Sequence, residues 1–418
     1  MEATETGSDQ QYWWRTCEPA LSGLLDFTGS YTAEEKQDHL AWFSQHVVPW
    51  FGRPHSSTTG ISLTRDKSPV EVSLNLSTHG PARVRFGMQV IGGVGVDAFD
   101  VPNRTKLLAP LFASADPDHD LQWFHSAGEV LVSTDPVEIA RAKALTPPGM
   151  KTQPPTLALG FDMDGSRRRL KTYLFPLVKS WGTGTPSEAL AWRAIRGLRP
   201  RGDELSTAVD MLEEYFATGC PEKMVMVMIG LDCRDPSSLP PAPQPRVKVY
   251  GNVYTSNSWD LVSHVYTLGG KVADPDRMTG LTKLKSVWHL LLGEEEPLPE
   301  GYSKPLRDPT SPHGAFTTSF ELSPGCAAPD VKIYVSVWQY GADDAQIAAN
   351  VAAALRILGF EKEADGYLDM LKRAFPYADL AAPCLLHTYV TYAYSAKTGV
   401  YLTVYLSASG ESVSIPIS

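Results

Sequence analysis

The feature that most constrains this chain is a degenerate repeat: five times, basic or tyrosine residues recur two positions apart between apolar neighbours. The runs are Ala82-Arg83-Val84-Arg85-Phe86, Leu170-Lys171-Thr172-Tyr173-Leu174, Arg246-Val247-Lys248-Val249-Tyr250, Val331-Lys332-Ile333-Tyr334-Val335 and Val400-Tyr401-Leu402-Thr403-Val404-Tyr405. With Arg85, Lys171, Lys248, Lys332 and Thr403 as markers, the intervals are 86, 77, 84 and 71 residues. Each run follows a second alternating run: Val70 to Leu76, Thr156 to Asp162, Lys223 to Asp232, Ala315 to Leu322 and Leu386 to Ser395. Turn-forming breaks such as Thr78-His79-Gly80-Pro81, Asp164-Gly165 and Lys397-Thr398-Gly399 separate the two. Period-2 runs joined this way predict antiparallel hairpins, five of them, hence ten strands.

Helical patterns fill the intervals. Capping boxes are expected at Thr32 with Glu35 and at Thr185 with Glu188. Helices are expected over Gln11 to Asp26, Leu205 to Thr218, Ser256 to Thr267 and Thr282 to Leu292. Ile347, Val351, Leu355 and Leu358 keep one apolar face, as do Leu368, Leu371 and Phe375. The repeat runs across the proline-rich stretches near 147–155 and 296–313, so residues 1–418 are read as a single domain of the α+β class.

Side chains two apart on a strand share a face. Lys171 and Tyr173 therefore point the same way, as do Arg246, Lys248 and Tyr250, and Lys332 and Tyr334. The opposite face carries Val, Leu and Ile, which the helices must cover, and this leaves the basic and aromatic face for the interior of a barrel. Ten strands leave a chamber, because barrel diameter grows with strand number. Cations crowded into an enclosed space repel unless an anion is expected. At an effective dielectric of ~20, each close contact with a unit negative charge is worth on the order of 4 kcal/mol before desolvation. Tyrosine faces beside them hold a cation at ~0.5–2 kcal/mol each. An anion cradle beneath an aromatic cage suits a substrate that splits into diphosphate and a carbocation, which is prenyl transfer.

The rest of the sequence narrows the alternatives. There are 37 Lys and Arg against 47 Asp and Glu, a net charge of −10 that disfavours nucleic acid as a partner. Five scattered cysteines, an acidic opening stretch unlike a secretory signal, and no apolar run near ~20 residues point to a cytoplasmic chain without membrane spans. Gly93-Val94-Gly95-Val96-Asp97-Ala98 fits a loose dinucleotide fingerprint but follows an alternating strand, the wrong context for that site. Asp116, Asp118, His119 and Asp120 read as a solvated loop, and Asp343-Asp344 as a helix cap. No DDxxD pair occurs, so neither a metal nor any other cofactor is expected.

At these residues the chain resembles the fungal aromatic prenyltransferases of the dimethylallyltryptophan synthase family. The resemblance runs from Tyr12-Trp13-Trp14 to the final hairpin, and Val70-Glu71-Val72-Ser73-Leu74-Asn75 is among its most specific pieces. It implies the α-β-β-α prenyltransferase barrel, ten antiparallel strands inside a ring of helices. It implies a diphosphate site of Arg85, Lys171, Arg246, Lys248 and Lys332, with Tyr401 near it. It also implies a cation shield of Tyr173, Tyr250, Tyr334, Tyr389 and Tyr405, although Tyr392 lies close to Tyr389 in the same strand. Glu71 matches the carboxylate that takes the indole N–H proton, and Leu63 a backbone contact to the acceptor. Lys171 is the candidate for removing the ring proton, which requires a lowered pKa. Lys332 stands where some relatives carry glutamine, and Val337-Trp338-Gln339-Tyr340 replaces a more basic stretch of the indole enzymes. The expected substrates are two small molecules, dimethylallyl diphosphate and an indole-containing, tryptophan-derived acceptor of alkaloid secondary metabolism. The alternatives are a phenolic or polyketide acceptor, or a non-catalytic carrier of an anionic aromatic ligand. Oligomeric state is left open by the sequence.

Overall fold

All ten expected strands form, and they pair in one closed circle. The computed structural model describes residues 2–408 apart from 53, 55–62, 91–96, 149–154, 240–243 and 300. The strands are β1 (Val70–Ser77), β2 (Gly80–Gln89), β3 (Leu157–Asp164), β4 (Arg167–Leu174), β5 (Val225–Asp232), β6 (Val247–Val253), β7 (Phe316–Leu322), β8 (Asp330–Val335), β9 (His387–Ser395) and β10 (Gly399–Ser407). Each is antiparallel to its neighbours in sequence, and β1 pairs with β10 to close the barrel. Closure leaves none of these ten strands with a free edge.

The helices occupy the intervals between hairpins. α1 (Glu2–Thr28) and α2 (Ala33–Trp42) precede β1, and α3 (Val101–Ala115), α4 (Gln122–Leu131) and α5 (Pro136–Leu145) link β2 to β3. α6 (Leu177–Thr183), α7 (Ser187–Arg196) and α8 (Ser206–Glu214) lie between β4 and β5. α9 (Trp259–Tyr266), α10 (Pro275–Lys285) and α11 (Trp288–Leu291) join β6 to β7, and α12 (Asp344–Ile357) and α13 (Glu361–Ala374) join β8 to β9. Their apolar stripes cover the outward side chains of the barrel, Val72 and Leu74 of β1, Val247 and Val249 of β6, and Ile333 and Val335 of β8, in one continuous core. No helix among the described residues is long and apolar enough to cross a membrane.

Local signals succeed where the side chain reaches its backbone partner. Thr32 caps α2 as a full capping box with Glu35, and Asp343 caps α12 by accepting from the Gln346 N–H. The box at Thr185 does not form. α7 starts at Ser187 behind Pro186, and the Thr185 N–H donates instead to Thr183 Oγ1 at 3.2 Å. The helix expected over Thr282 to Leu292 starts earlier, at Pro275 capped by Asp274, and breaks after Lys285. On α13 the buried stripe runs through Ala364, Tyr367, Leu371 and Ala374, and leaves Leu368 43 % exposed at its edge. Asp116 is buried, ion-paired to Arg169 at 3.3 Å, so that loop is not wholly solvated. The Gly93 and Gly95 fingerprint lies outside the described residues.

Candidate active site

The alternate residues that do not pack outward line a chamber of about 210 Å³ inside the barrel. Three middle hairpins build it by the same rule. On β4, β6 and β8 a lysine and a tyrosine sit two residues apart, Lys171 with Tyr173, Lys248 with Tyr250, and Lys332 with Tyr334, all lining the chamber. At ~3.3 Å rise per residue, the tyrosine layer stands ~6.6 Å above the cation layer.

The tyrosines of β4, β6, β8, β9 and β10 touch one another in an unbroken chain. Tyr173 meets Tyr250 with ring centroids 6.1 Å apart, Tyr250 meets Tyr334 at 5.9 Å, and Tyr334 meets Tyr389 at 6.0 Å and Tyr405 at 5.9 Å. Most of these contacts are edge to face, the arrangement aromatic quadrupoles favour. Tyr389 faces the chamber, whereas Tyr392 points outward and donates to the Gly280 carbonyl at 2.8 Å. Burial raises these phenols, Tyr334 to about 12, so they present neutral rings.

Carboxylates that the sequence reading passed over partner the cation layer. Strand register sets Arg85 opposite Asp162, Lys171 opposite Asp232 and Lys248 opposite Glu321. Asp162 lies 2.8 Å from Arg85 and 2.5 Å from Lys171. Arg246 binds Asp232 at 2.8 Å and Glu321 at 2.5 Å, and Lys248 lies 3.9 and 3.6 Å from the same two groups. Lys332 has no carboxylate within 4 Å among the described residues, and its ammonium sits 4.5 Å over the Tyr401 ring, which Arg85 also approaches at 5.6 Å. Burial opposes ionisation of Asp162, Asp232 and Glu321, yet the flanking cations hold all three below the usual carboxylate range. Burial pushes the Lys171 ammonium down to about 7, with Asp162 opposing and Arg85 and Lys248 adding to the fall. Lys332 is lowered well below an ordinary lysine, by burial first and then, against Glu321, by Arg85 and Lys248.

Of the expected anion-binding set, Arg85, Lys171, Lys248 and Lys332 line the chamber, while Arg246 and Tyr401 stand outside its lining. Arg246 precedes β6 with its side chain 36 % exposed, and reaches the layer through Asp232 and Glu321. The Tyr401 hydroxyl donates to Asn75 Oδ1 at 3.2 Å.

The first hairpin departs from the rule. On β2 the position two residues after Arg85 is Gly87, so the tyrosine layer has a gap there. Gly87 pairs with Glu71 on one side and with Gly160 on the other, and Gly160 pairs with Lys171. The chamber wall between Glu71 and Lys171 thus carries no side chain of its own, and the Tyr173 ring covers it at Gly160 but not at Gly87. A Cβ at Gly87 would find only the Leu159 carbonyl oxygen, at 3.7 Å. Glu71 is buried at this gap, and its Oε1 has no hydrogen-bond partner among the described residues. Burial raises its carboxyl to about 8, with the Thr388 hydroxyl opposing and Asp66 adding to the rise. Leu63 also lines the chamber. A usable signal for the acids was present: the first strands of hairpins two, three and four all carry acids, among them Asp162, Asp232 and Glu321. The missing tyrosine at Gly87 was legible in the same comparison of repeats.

A charged floor beneath a near-complete ring of tyrosines, enclosed by ten strands, defines the interior of a prenyltransferase barrel. The Tryptophan dimethylallyltransferase family model matches residues 9–370, and the chain belongs to that family. It is 35 % identical to the O-glucose prenyltransferase PaPT of Phomopsis amygdali, covering 98 % of this chain and 91 % of that protein. It is 33 % identical to the indole prenyltransferase tdiB of Emericella nidulans, covering 95 % of each. The crystal structure of AnaPT from Neosartorya fischeri superposes with a TM-score of 0.79 at 23 % identity, over 96 % of this chain and 94 % of that one. The chain is therefore an enzyme, and the carrier alternative is set aside. Among the described residues no group of three or more His, Cys, Asp or Glu is placed to hold a metal ion.

Proposed function

We propose that this enzyme transfers a dimethylallyl group from dimethylallyl diphosphate to an indole-bearing acceptor by electrophilic aromatic substitution. The observation that carries the reading is the vertical order of the chamber, three lysines each one pleat below a tyrosine. In this reading the diphosphate lies on Arg85, Lys171, Lys248 and Lys332, with Arg246 and Tyr401 at its outer edge. The allylic C–O bond breaks with its electron pair going to the diphosphate, where fixed cations meet the charge as it develops. The allyl cation forms under Tyr173, Tyr250, Tyr334, Tyr389 and Tyr405, screened from water. The acceptor ring enters at the bare wall by Gly87, where ionised Glu71 accepts the indole N–H proton and Leu63 flanks it. A ring carbon bonds to the cation, and Lys171, having passed its own proton to the departing diphosphate, takes the proton that restores aromaticity. The cations do the work that a metal does in other isoprenoid enzymes, so no metal is needed. Five free cysteines support a reducing, cytoplasmic setting.

A second reading rests on the 35 % identity to a glucose O-prenyltransferase. A hydroxyl acceptor would lose its proton to Glu71 as its oxygen attacks, and no ring proton would remain for Lys171. Incubation with labelled dimethylallyl diphosphate and a panel of tryptophan, cyclic dipeptides, phenols and glucosides separates the two. Diphosphate release with C-prenylated indoles alone supports the first reading, and glucoside ethers as the products support the second. Failure of every acceptor to elicit diphosphate release would overturn both.

A further inference from the structure

We infer that Asp162, Asp232 and Glu321 are positioning residues that limit how tightly the cation layer grips diphosphate and so let the product leave. The inference rests on the diphosphate seat proposed above. The register is the first observation: three cations each face a carboxylate directly across a strand pair, Arg85 with Asp162, Lys171 with Asp232, and Lys248 with Glu321. A chance scatter of charges would not repeat that placement on β3, β5 and β7. Charge is the second. Five cations against three carboxylates leave the layer at a formal +2, where the cations alone would stand at +5.

Competition for donors is the third. The carboxylates already hold N–H groups that an incoming diphosphate needs, on Lys171 at 2.5 Å and on Arg246 at 2.8 and 2.5 Å. Binding diphosphate therefore means sharing or exchanging these bonds. Grip that holds donor and product alike adds nothing to the chemical step, and it slows release. Lys332, which among the described residues has no carboxylate within 4 Å, is left to the ligand.

The test compares inhibition by inorganic diphosphate in wild type, Glu321→Gln and Asp162→Asn. The seat itself predicts competition with dimethylallyl diphosphate in wild type, and absence of competition there would defeat the seat rather than the role of the acids. Given competition, loss of one carboxylate should lower the inhibition constant on the order of tenfold and lower kcat as release slows. Adding Lys332→Gln to Glu321→Gln returns the formal charge to +2 and should raise the constant back toward wild type. A purely structural role would loosen the site, so an unchanged or higher inhibition constant in folded Glu321→Gln overturns the inference. If that variant does not fold, Asp162→Asn decides by the same criterion, and failure of both to fold also overturns it.

Discussion

The three middle hairpins and the first one share a backbone but not a task. β3 to β8 repeat a single unit, an acid on the first strand, then a lysine and a tyrosine two residues apart on the second. In β1 and β2 the acid is Glu71, placed level with the tyrosine layer instead of the cation layer, and the tyrosine is replaced by Gly87. The difference teaches how one repeated fold holds two unlike substrates. In the proposed reading, uniform hairpins close a cage around a charged, reactive group, and one divergent hairpin opens the cage to a neutral partner. Their electrostatics diverge accordingly. Asp162, Asp232 and Glu321 sit among cations and stay ionised, whereas burial, with Asp66 adding to it, lets Glu71 keep its proton to about pH 8.

That contrast can be broken from either side. The largest effect is expected from Glu71→Gln, which keeps the shape of the first hairpin and removes its base. Turnover should fall by about 10²–10³ with the donor KM little changed, as read by steady-state assays with each substrate varied. Filling the gap should come next. Gly87→Tyr completes the tyrosine layer, and transfer to the acceptor should drop ~100-fold while slow hydrolysis of the donor to its alcohol persists. A Cβ has room at Gly87, a thermal melt checks that the variant keeps its fold, and lost hydrolysis in the folded variant would mean that the gap does not belong to the acceptor.

Titration sharpens the same comparison at about one decade per pH unit. Glu71 must lose its proton to act, so kcat/KM for the acceptor should rise with pH and level off above about 8. Lys171 must keep its proton to hold diphosphate, so kcat/KM for the donor should fall as pH climbs past about 7. The first limb should vanish in Glu71→Gln and the second in Lys171→Gln. A single limb common to both substrates would contradict the division of labour. The smallest expected effect is from chelation: with EDTA, turnover should stay within twofold of the untreated rate, and a larger loss would assign part of the middle hairpins' work to a metal.

Much of this was legible before any coordinates. The two-residue spacing of Lys171 and Tyr173, Lys248 and Tyr250, and Lys332 and Tyr334 declares both strand structure and shared facing, because a pleat admits only two sides. The alternating runs and their turn breaks give all ten strands, the residue types at Thr32 and Glu35 give the capping box, and the shared face gives the chamber lining except for Arg246 and Tyr401. Helix limits were less legible. Thr185 and Leu368 carry the right residue types, but a cap or a buried stripe depends on where the neighbouring segment packs.

The alternating pattern therefore determined which side chains share a face, since that is a property of backbone geometry that every strand obeys alone. Tertiary structure decided what those side chains meet. Closure of β1 on β10 and the register between hairpins set Asp162, Asp232 and Glu321 against the cations, drew five tyrosines into one ring, and stranded Glu71 beside bare backbone at Gly87. Those relations join residues far apart in the chain, and the energies that matter, burial and charge at a few ångströms, exist only once the strands are laid side by side.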